Sequence, residues 1–397
     1  MRRFRIPGLL AALAIVASAC SGGTTTGGSS TPAPSYPTSI GPLEDELDLV
    51  AWVGYVESGK NDPAYDWVTP FEASVGGKCK VNAKEAGTSN AMKSLMDTGN
   101  YDGVSASGNL SGRLVADGEA APVNVDLVPN YKDIFPALKD QPYNTFGGVH
   151  YGIPHGRGAN LLAWRSDIIP QVLDSWSVMF DPSSPGKGKL SVYDDPIYIA
   201  DAANYLMSTQ PDLGIKNPYE LDQKQFDAAV ALLKVQRPMI KEYWTDAAAQ
   251  IQSFTTGTLT LGTTWQYQVN TMLGAKPPVA IKAVLPKEGS TGWSDTWMMY
   301  SHAKHPNCMY KWMDWITSPK VNAQVAVWFG EAPSNMQACA EAEKLSPGHC
   351  DTFHANDEAY FSHVHLWTIP TANCGDSRGN TCKDYSAWLQ AWTETKG

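Results

Sequence analysis

Apolar and polar positions follow two alternating rhythms from residue 47 onward. Dense apolar runs at 47–52, 79–83 and 101–105 read as strands, and the stretches between them carry helical spacing. Over 64–75, Trp67, Val68 and Phe71 share a helical face. After Ser89, a candidate cap, Met92, Leu95 and Met96 do the same. This β-α-β-α-β order predicts a largely parallel sheet with helices on both faces. Further strands are predicted at 150–154, 159–165, 188–193, 259–262 and 279–285. Helices are predicted from Asp222 through Leu233 and over 247–254, 309–315 and 321–329. The reading is an α/β chain of two lobes. Gly156-Arg157-Gly158 lacks the third glycine of a dinucleotide loop and reads as a tight, hinge-like segment.

Composition narrows the class. Of 397 residues, 43% are apolar and 18% charged, which excludes an intrinsically disordered chain. The net charge of −10 argues against nucleic acid as a partner, since such binding needs a basic face to displace phosphate counterions. Fourteen tryptophans and seventeen tyrosines fit either a large core or a site for a cation or sugar.

Residues 1–19 have the form of a secretory signal, with Arg2, Arg3 and Arg5 before a short apolar run. Cys20 follows Ala17-Ser18-Ala19 as in a bacterial lipobox, and the Gly/Ser/Thr/Pro tract behind it reads as a flexible linker. The expected location is therefore the outer face of the cell membrane, by lipid anchor, or the periplasm. Six cysteines remain: Cys79, Cys308, Cys339, Cys350, Cys374 and Cys382. An even number in an exported chain predicts three disulfides, among 15 possible connectivities. Cys339/Cys350 and Cys374/Cys382 bracket short polar segments that suit local staples, which leaves Cys79 for Cys308.

No nucleophile elbow, Walker loop or H-E-x-x-H is present, so no enzyme and no cofactor are expected. His354, His363 and His365 do not have the spacing of a convergent ligand set, and no metal site is expected. Trp52, Trp265 and Trp293 lie at or just after the ends of predicted strands, where ligands bind in open α/β sheets. Asp195 and Asp295 lie close by in sequence. An indole face attracts an ammonium by ~0.5–2 kcal/mol, and a carboxylate adds charge-assisted hydrogen bonds. Together they fit an organic amine better than a neutral sugar.

Six segments carry a family resemblance: AWVGYV at 51–56, YDGVSAS at 101–107, VHYGIPHGRGANLLAW at 149–164, SVYDD at 191–195, LGTTW at 261–265 and VLPKEGSTGWSD at 284–295. In this order the chain resembles the spermidine/putrescine-binding proteins of bacterial ABC importers, within the periplasmic-type binding-protein superfamily. The resemblance implies a two-lobed periplasmic-binding-protein-like α/β fold with a hinge and a ligand cleft between the lobes. It implies a monomer that hands a small cationic amine to an ABC permease and its ATPase, meeting the membrane only through its anchor. Carried over by position, Trp52, Tyr55, Trp265 and Trp293 become ring walls, Ser107 a polar contact, and Asp195 and Asp295 the acids that meet the ammonium groups. Two ligand positions depart. Asn109 stands where the family often has tyrosine, and Tyr198 where it has the glutamate of D-x-x-E. A family glutamine is also missing near Trp367-Thr368, which weakens the case for a triamine over a diamine or another solute. The implied division is a signal over 1–19, an anchor and linker over 20–45, and a first lobe over 46–155 and 298–335. The second lobe spans 156–297, and a disulfide-stapled segment over 336–397 packs on it.

Overall fold

A computed structural model describes residues 36–397; the signal and Cys20 lie outside them. The strands in chain order are β1 (Glu46–Trp52), β2 (Lys80–Ala86), β3 (Gly103–Ser107), β4 (Thr145–Phe146), β5 (Val149–His150), β6 (Gly152–Ala159) and β7 (Leu161–Arg165). They continue with β8 (Leu190–Tyr193), β9 (Ile240–Trp244), β10 (Leu261–Thr264), β11 (Ile281–Val284), β12 (Ser290–Met299), β13 (Ala332–Pro333) and β14 (Val364–Leu366). The first large sheet has the order β13-β6-β12-β3-β1-β2, with β14 also on β12. The second has the order β11-β7-β10-β8-β9.

Parallel pairing of β1 with both β2 and β3 follows from the predicted alternation. The intervening helix Ser89–Met96 is capped by Thr88, whose Oγ1 accepts from the Ala91 amide at 3.1 Å; Ser89 is already inside the helix. Asp222 caps Gln223–Gln236 in a reciprocal pair with Gln225. Behind the first sheet, Trp67, Phe71, Trp297 and Trp312 join one buried cluster with Leu47, Leu49 and Met309. Behind the second, Tyr198, Phe226, Leu233, Trp388 and Trp392 form another. Most of the aromatic excess is therefore core.

Three expectations shift. Gly156-Arg157-Gly158 is neither turn nor hinge loop but the middle of β6. The chain passes between the sheets at Asn160 and again over 285–289, so the limits expected at 156 and 297 both fall inside strands. The segment 336–397 also divides. Its β14 joins the first sheet, whereas its last helix, Tyr385–Lys396, packs into the second cluster. The disulfides are Cys79–Cys308, Cys339–Cys350 and Cys374–Cys382. Glu44 secures the first by accepting from the Asn307 and Cys308 amides at the start of the helix Pro306–Ile316.

Candidate functional site

The site is organised by the register of β12. Asp295 is the direct cross-strand partner of Ser107 on β3 and of Gly156 on β6. Trp293, two residues earlier on the same face, is the partner of Gly158. Both glycines are needed for room. A Cβ on Gly158 would lie 2.5 Å from Trp293 Cζ2, and one on Gly156 would lie 2.2 Å from the carboxyl carbon of Glu331. Opposite Asp295 the β6–β12 register slips by one residue, a bulge of the kind that re-aims side chains beside a site.

Asp295 is 2% exposed. Ser107 Oγ donates to its Oδ1, and the Tyr55 hydroxyl lies 2.7 Å from its Oδ2. The same hydroxyl lies 2.6 Å from Glu331 Oε2. Tyr55 is fully buried, wedged edge-on against His155 at 4.6 Å and tilted on Phe329 at 4.1 Å between ring centroids. Burial pushes Asp295 up to about 6, opposed by the donors Ser107 and Tyr55. Burial also raises Glu331 well above the carboxylate range, reinforced by the charge of Asp295, and lowers His155 to about 3.

Rings enclose the approach to Asp295. Trp52, Trp265, Trp293, Phe329 and Trp367 leave a void of only about 10 Å³ beside Ser107 and Asp295. That is room for about one water. Trp265 stands edge-on to Trp293 at 5.8 Å, and Trp293 edge-on to Phe329 at 5.9 Å. The Trp265 indole donates to Asn160 at 2.9 Å, in the segment joining the sheets. Trp52, Trp265, Trp293 and Phe329 also wall a larger cleft of about 400 Å³, joined there by Tyr267, Trp328, Glu57 and Asp246. Its lining comes from the ends of both large sheets: Trp52–Gly54 and Gly87 after β1 and β2, Thr245–Ala248 and Trp265 after β9 and β10. Among the described residues no lysine or arginine lines either space.

The remaining positions separate. Asn109 donates to Asp195 Oδ1 at 3.3 Å, and Asp195 caps the turn Pro196–Tyr198 through the Ile197 amide at 2.9 Å. Asp195 Oδ2 is buried without a partner, and burial raises this acid to about 6. This pair borders neither space. Tyr198 turns away into the second core, where its hydroxyl accepts from Gln236 at 3.0 Å and its ring meets Trp392 edge-on at 5.8 Å. It is a packing residue, because the short turn after Asp195 carries its ring behind the sheet. Trp293 is not at a strand end as the pattern implied; it is the fourth residue of β12. Sequence reasoning missed Glu331, Glu57, Trp328 and Phe329. Of these only Trp328-Phe329 left a trace, as bulky residues closing a predicted helix just before Gly330.

Strand ends of both large sheets thus face one ring-walled cleft. A model of bacterial extracellular solute-binding proteins matches residues 66–349, and the chain belongs to that family. It is 25% identical over 297 residues to the spermidine/putrescine-binding periplasmic protein 1 of Haemophilus influenzae, covering 74% of this chain and 76% of that one. To the putrescine/agmatine-binding protein of Pseudomonas aeruginosa it is 22% identical over 301 residues, 70% and 79% of the two chains. Among solved structures, the TpPotD lipoprotein of Treponema pallidum superposes with a TM-score of 0.70 at 16% identity, over 89% of this chain and 99% of that one. The binding protein MotA of A. tumefaciens B6 in complex with glucopine superposes with 0.68, also at 16% identity, over 89% and 100%. The fold is thus the periplasmic-binding-protein fold, and proteins sharing it hold different solutes.

Proposed function

We propose that this chain is an extracytoplasmic receptor that captures a small cationic amine between its two lobes and presents it to an ABC import permease. The observation that carries the reading is Asp295: a buried carboxyl on a small void whose rings, Trp52, Trp265, Trp293 and Phe329, also wall the larger cleft, with no basic residue among the described residues on either lining. A ring cage favours an ammonium through its quadrupole, and desolvation of the carboxylate strengthens its attraction for one. Glu57 and Asp246 at the outer cleft supply acidic groups for a second ammonium, which suits a short diamine. The two curated relatives described above are named for putrescine together with spermidine or agmatine.

Capture works through the lobes. A ligand seated against Asp295 and Trp293 of β12 and against Trp265 after β10 touches both sheets. It favours the closed arrangement by the difference between its contacts in the two arrangements. The chain segments through Asn160 and 285–289 are the proposed hinge strands. Cys20, on its linker, is the proposed lipid attachment.

A second reading keeps the fold and replaces the amine with a neutral or amphoteric solute. It is favoured by the glucopine-bound neighbour. Titration calorimetry with putrescine, agmatine, spermidine, glucopine and a neutral sugar decides between them. Micromolar binding of a diamine is expected. No amine binding at millimolar concentration overturns the proposal, and binding of glucopine or sugar instead establishes the second reading.

A further inference from the structure

Tyr55 has one phenolic proton and two carboxyl oxygens within hydrogen-bond distance, Asp295 Oδ2 at 2.7 Å and Glu331 Oε2 at 2.6 Å. Two ionised acids cannot both accept that proton, so one of the three oxygen atoms lacks a donor unless a carboxyl carries a proton itself. No lysine or arginine forms an ion pair with either acid among the described residues. His155 Nε2 stands 3.8 Å from Glu331 Oε1, but burial keeps that ring neutral. The other groups facing the pair are the Ser107 hydroxyl on Asp295, the Tyr193 phenol near Asp295, and His349, whose ring meets the Glu331 carbonyl rather than its carboxyl. Two adjacent anions, 0% and 2% exposed and without a counter-charge, are far costlier than one.

We propose that Glu331 is held as a neutral carboxylic acid at neutral pH and serves as the positioning residue of the ligand site, donating to Tyr55 so that Tyr55 donates onward to Asp295. In this chain every proton has an acceptor. Glu331 Oε2–H meets the Tyr55 oxygen, the Tyr55 O–H meets Asp295 Oδ2, and Ser107 meets Oδ1. Asp295 alone carries the charge, and both its oxygens are oriented. Glu331 itself lines neither cleft nor void; it acts through Tyr55, whose ring it holds against Phe329 on the ligand wall. Gly156 is the accommodation for this device, since any larger residue would occupy the place of the Glu331 carboxyl. The strongly raised proton affinity of Glu331 agrees with the geometry. The protonation state stands independently of the ligand, whereas its effect on an ammonium rests on the amine reading.

The test is carbon-13 NMR of the mature protein labelled at the glutamate δ-carbon. One resonance is expected to stay at the protonated position up to about pH 8, while exposed glutamates titrate near the ordinary value of about 4.3. E331Q should remove that resonance, and Y55F should shift it even where E331Q does not fold. If every glutamate titrates below about pH 6, the proposal is overturned. Amine affinity gives the second readout: E331A should weaken it at least about tenfold, and E331Q, whose amide still donates to Tyr55, should recover most of the loss. Equal damage from both variants also overturns the proposal. A persistent protonated resonance without any amine binding would leave Glu331 as inferred and remove only the amine reading.

Discussion

The Trp293 indole lies over Gly158, its cross-strand partner, close enough that a Cβ there would come within 2.5 Å of the ring. The contact aims a large side chain along the strand face toward the ligand wall, which a β-carbon on Gly158 would prevent. Gly158→Ala should therefore displace Trp293 rather than unfold β6. Overpacking of this kind costs ~1–3 kcal/mol of stability, and with the indole displaced from the wall amine affinity should fall by about the ~0.5–2 kcal/mol of one ammonium–ring contact, roughly twofold to thirtyfold. Ligand-induced tryptophan fluorescence and calorimetry measure it. Wild-type affinity in the variant would show that Trp293 takes no part in the wall.

Asp295→Asn replaces the inner charge with an isosteric amide. An ammonium ligand should lose at least about tenfold in affinity, the scale of a charge-assisted hydrogen bond. The wild type should also show a pH profile. Burial places Asp295 at about 6, so it is ionised above that pH and neutral below it. As pH falls below about 6, a cation must displace a proton, and affinity should drop about tenfold per unit. The variant should be flat across the same range. A flat profile in the wild type would mean that this carboxyl does not meet the cation.

The first half of the architecture was legible because β1, β2 and β3 alternate with helices whose apolar faces keep a 3.6-residue spacing. Six motifs also brought Trp52, Ser107, Trp265, Trp293 and Asp295 into view, which share one small void; Tyr55, expected as a ring wall, instead meets Asp295 from outside both spaces, and Asp195 stands apart. Orientation was not legible. Tyr198 occupies the position of a family acid, yet one turn of chain after Asp195 carries it behind the sheet to Gln236. Nor was Glu331. Its approach to Asp295 depends on β13 pairing with β6 and on the missing side chain of Gly156, relations between residues far apart in the chain. The glycines of 156–158 look like a hinge in sequence, whereas in the sheet they are openings for a carboxyl and an indole.

Tyr198→Phe tests that assignment directly. The change removes one buried hydroxyl that accepts from Gln236, so stability should fall by about 1 kcal/mol. Affinity for amines should stay within about twofold, since the ring borders neither space, and a loss of ten times that size is the scale of a ligand contact. Urea unfolding and calorimetry on the same sample separate the two effects. A large affinity loss with little change in stability would return Tyr198 to the site.

Four buried acids, Asp195, Asp201, Asp295 and Glu331, weigh on the pH dependence of the ligand-free fold in one direction and outnumber buried His155, whose lowered proton affinity acts in the other. Burial raises Asp195 and Asp295 to about 6 and Asp201 to about 7, above their ordinary value near 3.8. A raised acid binds its proton more tightly when folded than when unfolded. Its ionisation therefore costs stability as pH rises from about 4 through 6 or 7, and the cost is complete above that window. For a shift of two units the cost is ~3 kcal/mol per group. The ligand-free protein should accordingly have a higher Tm at pH 5 than at pH 8. A saturating diamine should narrow the difference, because it stabilises ionised Asp295. Thermal unfolding at both pH values, with and without diamine, measures this, and a higher ligand-free Tm at pH 8 would contradict it.

The Cys79–Cys308 bridge joins the start of β2 to the helix Pro306–Ile316 across a sequence separation of 229 residues, whereas the other two bridges close 11 and 8. Loop-closure entropy grows with the logarithm of loop length, so the long bridge restrains the unfolded chain most, by about 5 kcal/mol in the chain-entropy description. The Glu44 carboxylate accepts from the amides of Asn307 and Cys308 beside it. Replacing Cys79 and Cys308 together by serine should therefore lower the urea midpoint more than replacing either short pair. The ligand cleft contains neither cysteine, so amine affinity measured well below the unfolding transition should be retained. A larger loss of stability from the Cys374/Cys382 pair would instead place the main constraint in the C-terminal segment, where Cys382 bridges to Asp222 at the head of the helix Gln223–Gln236.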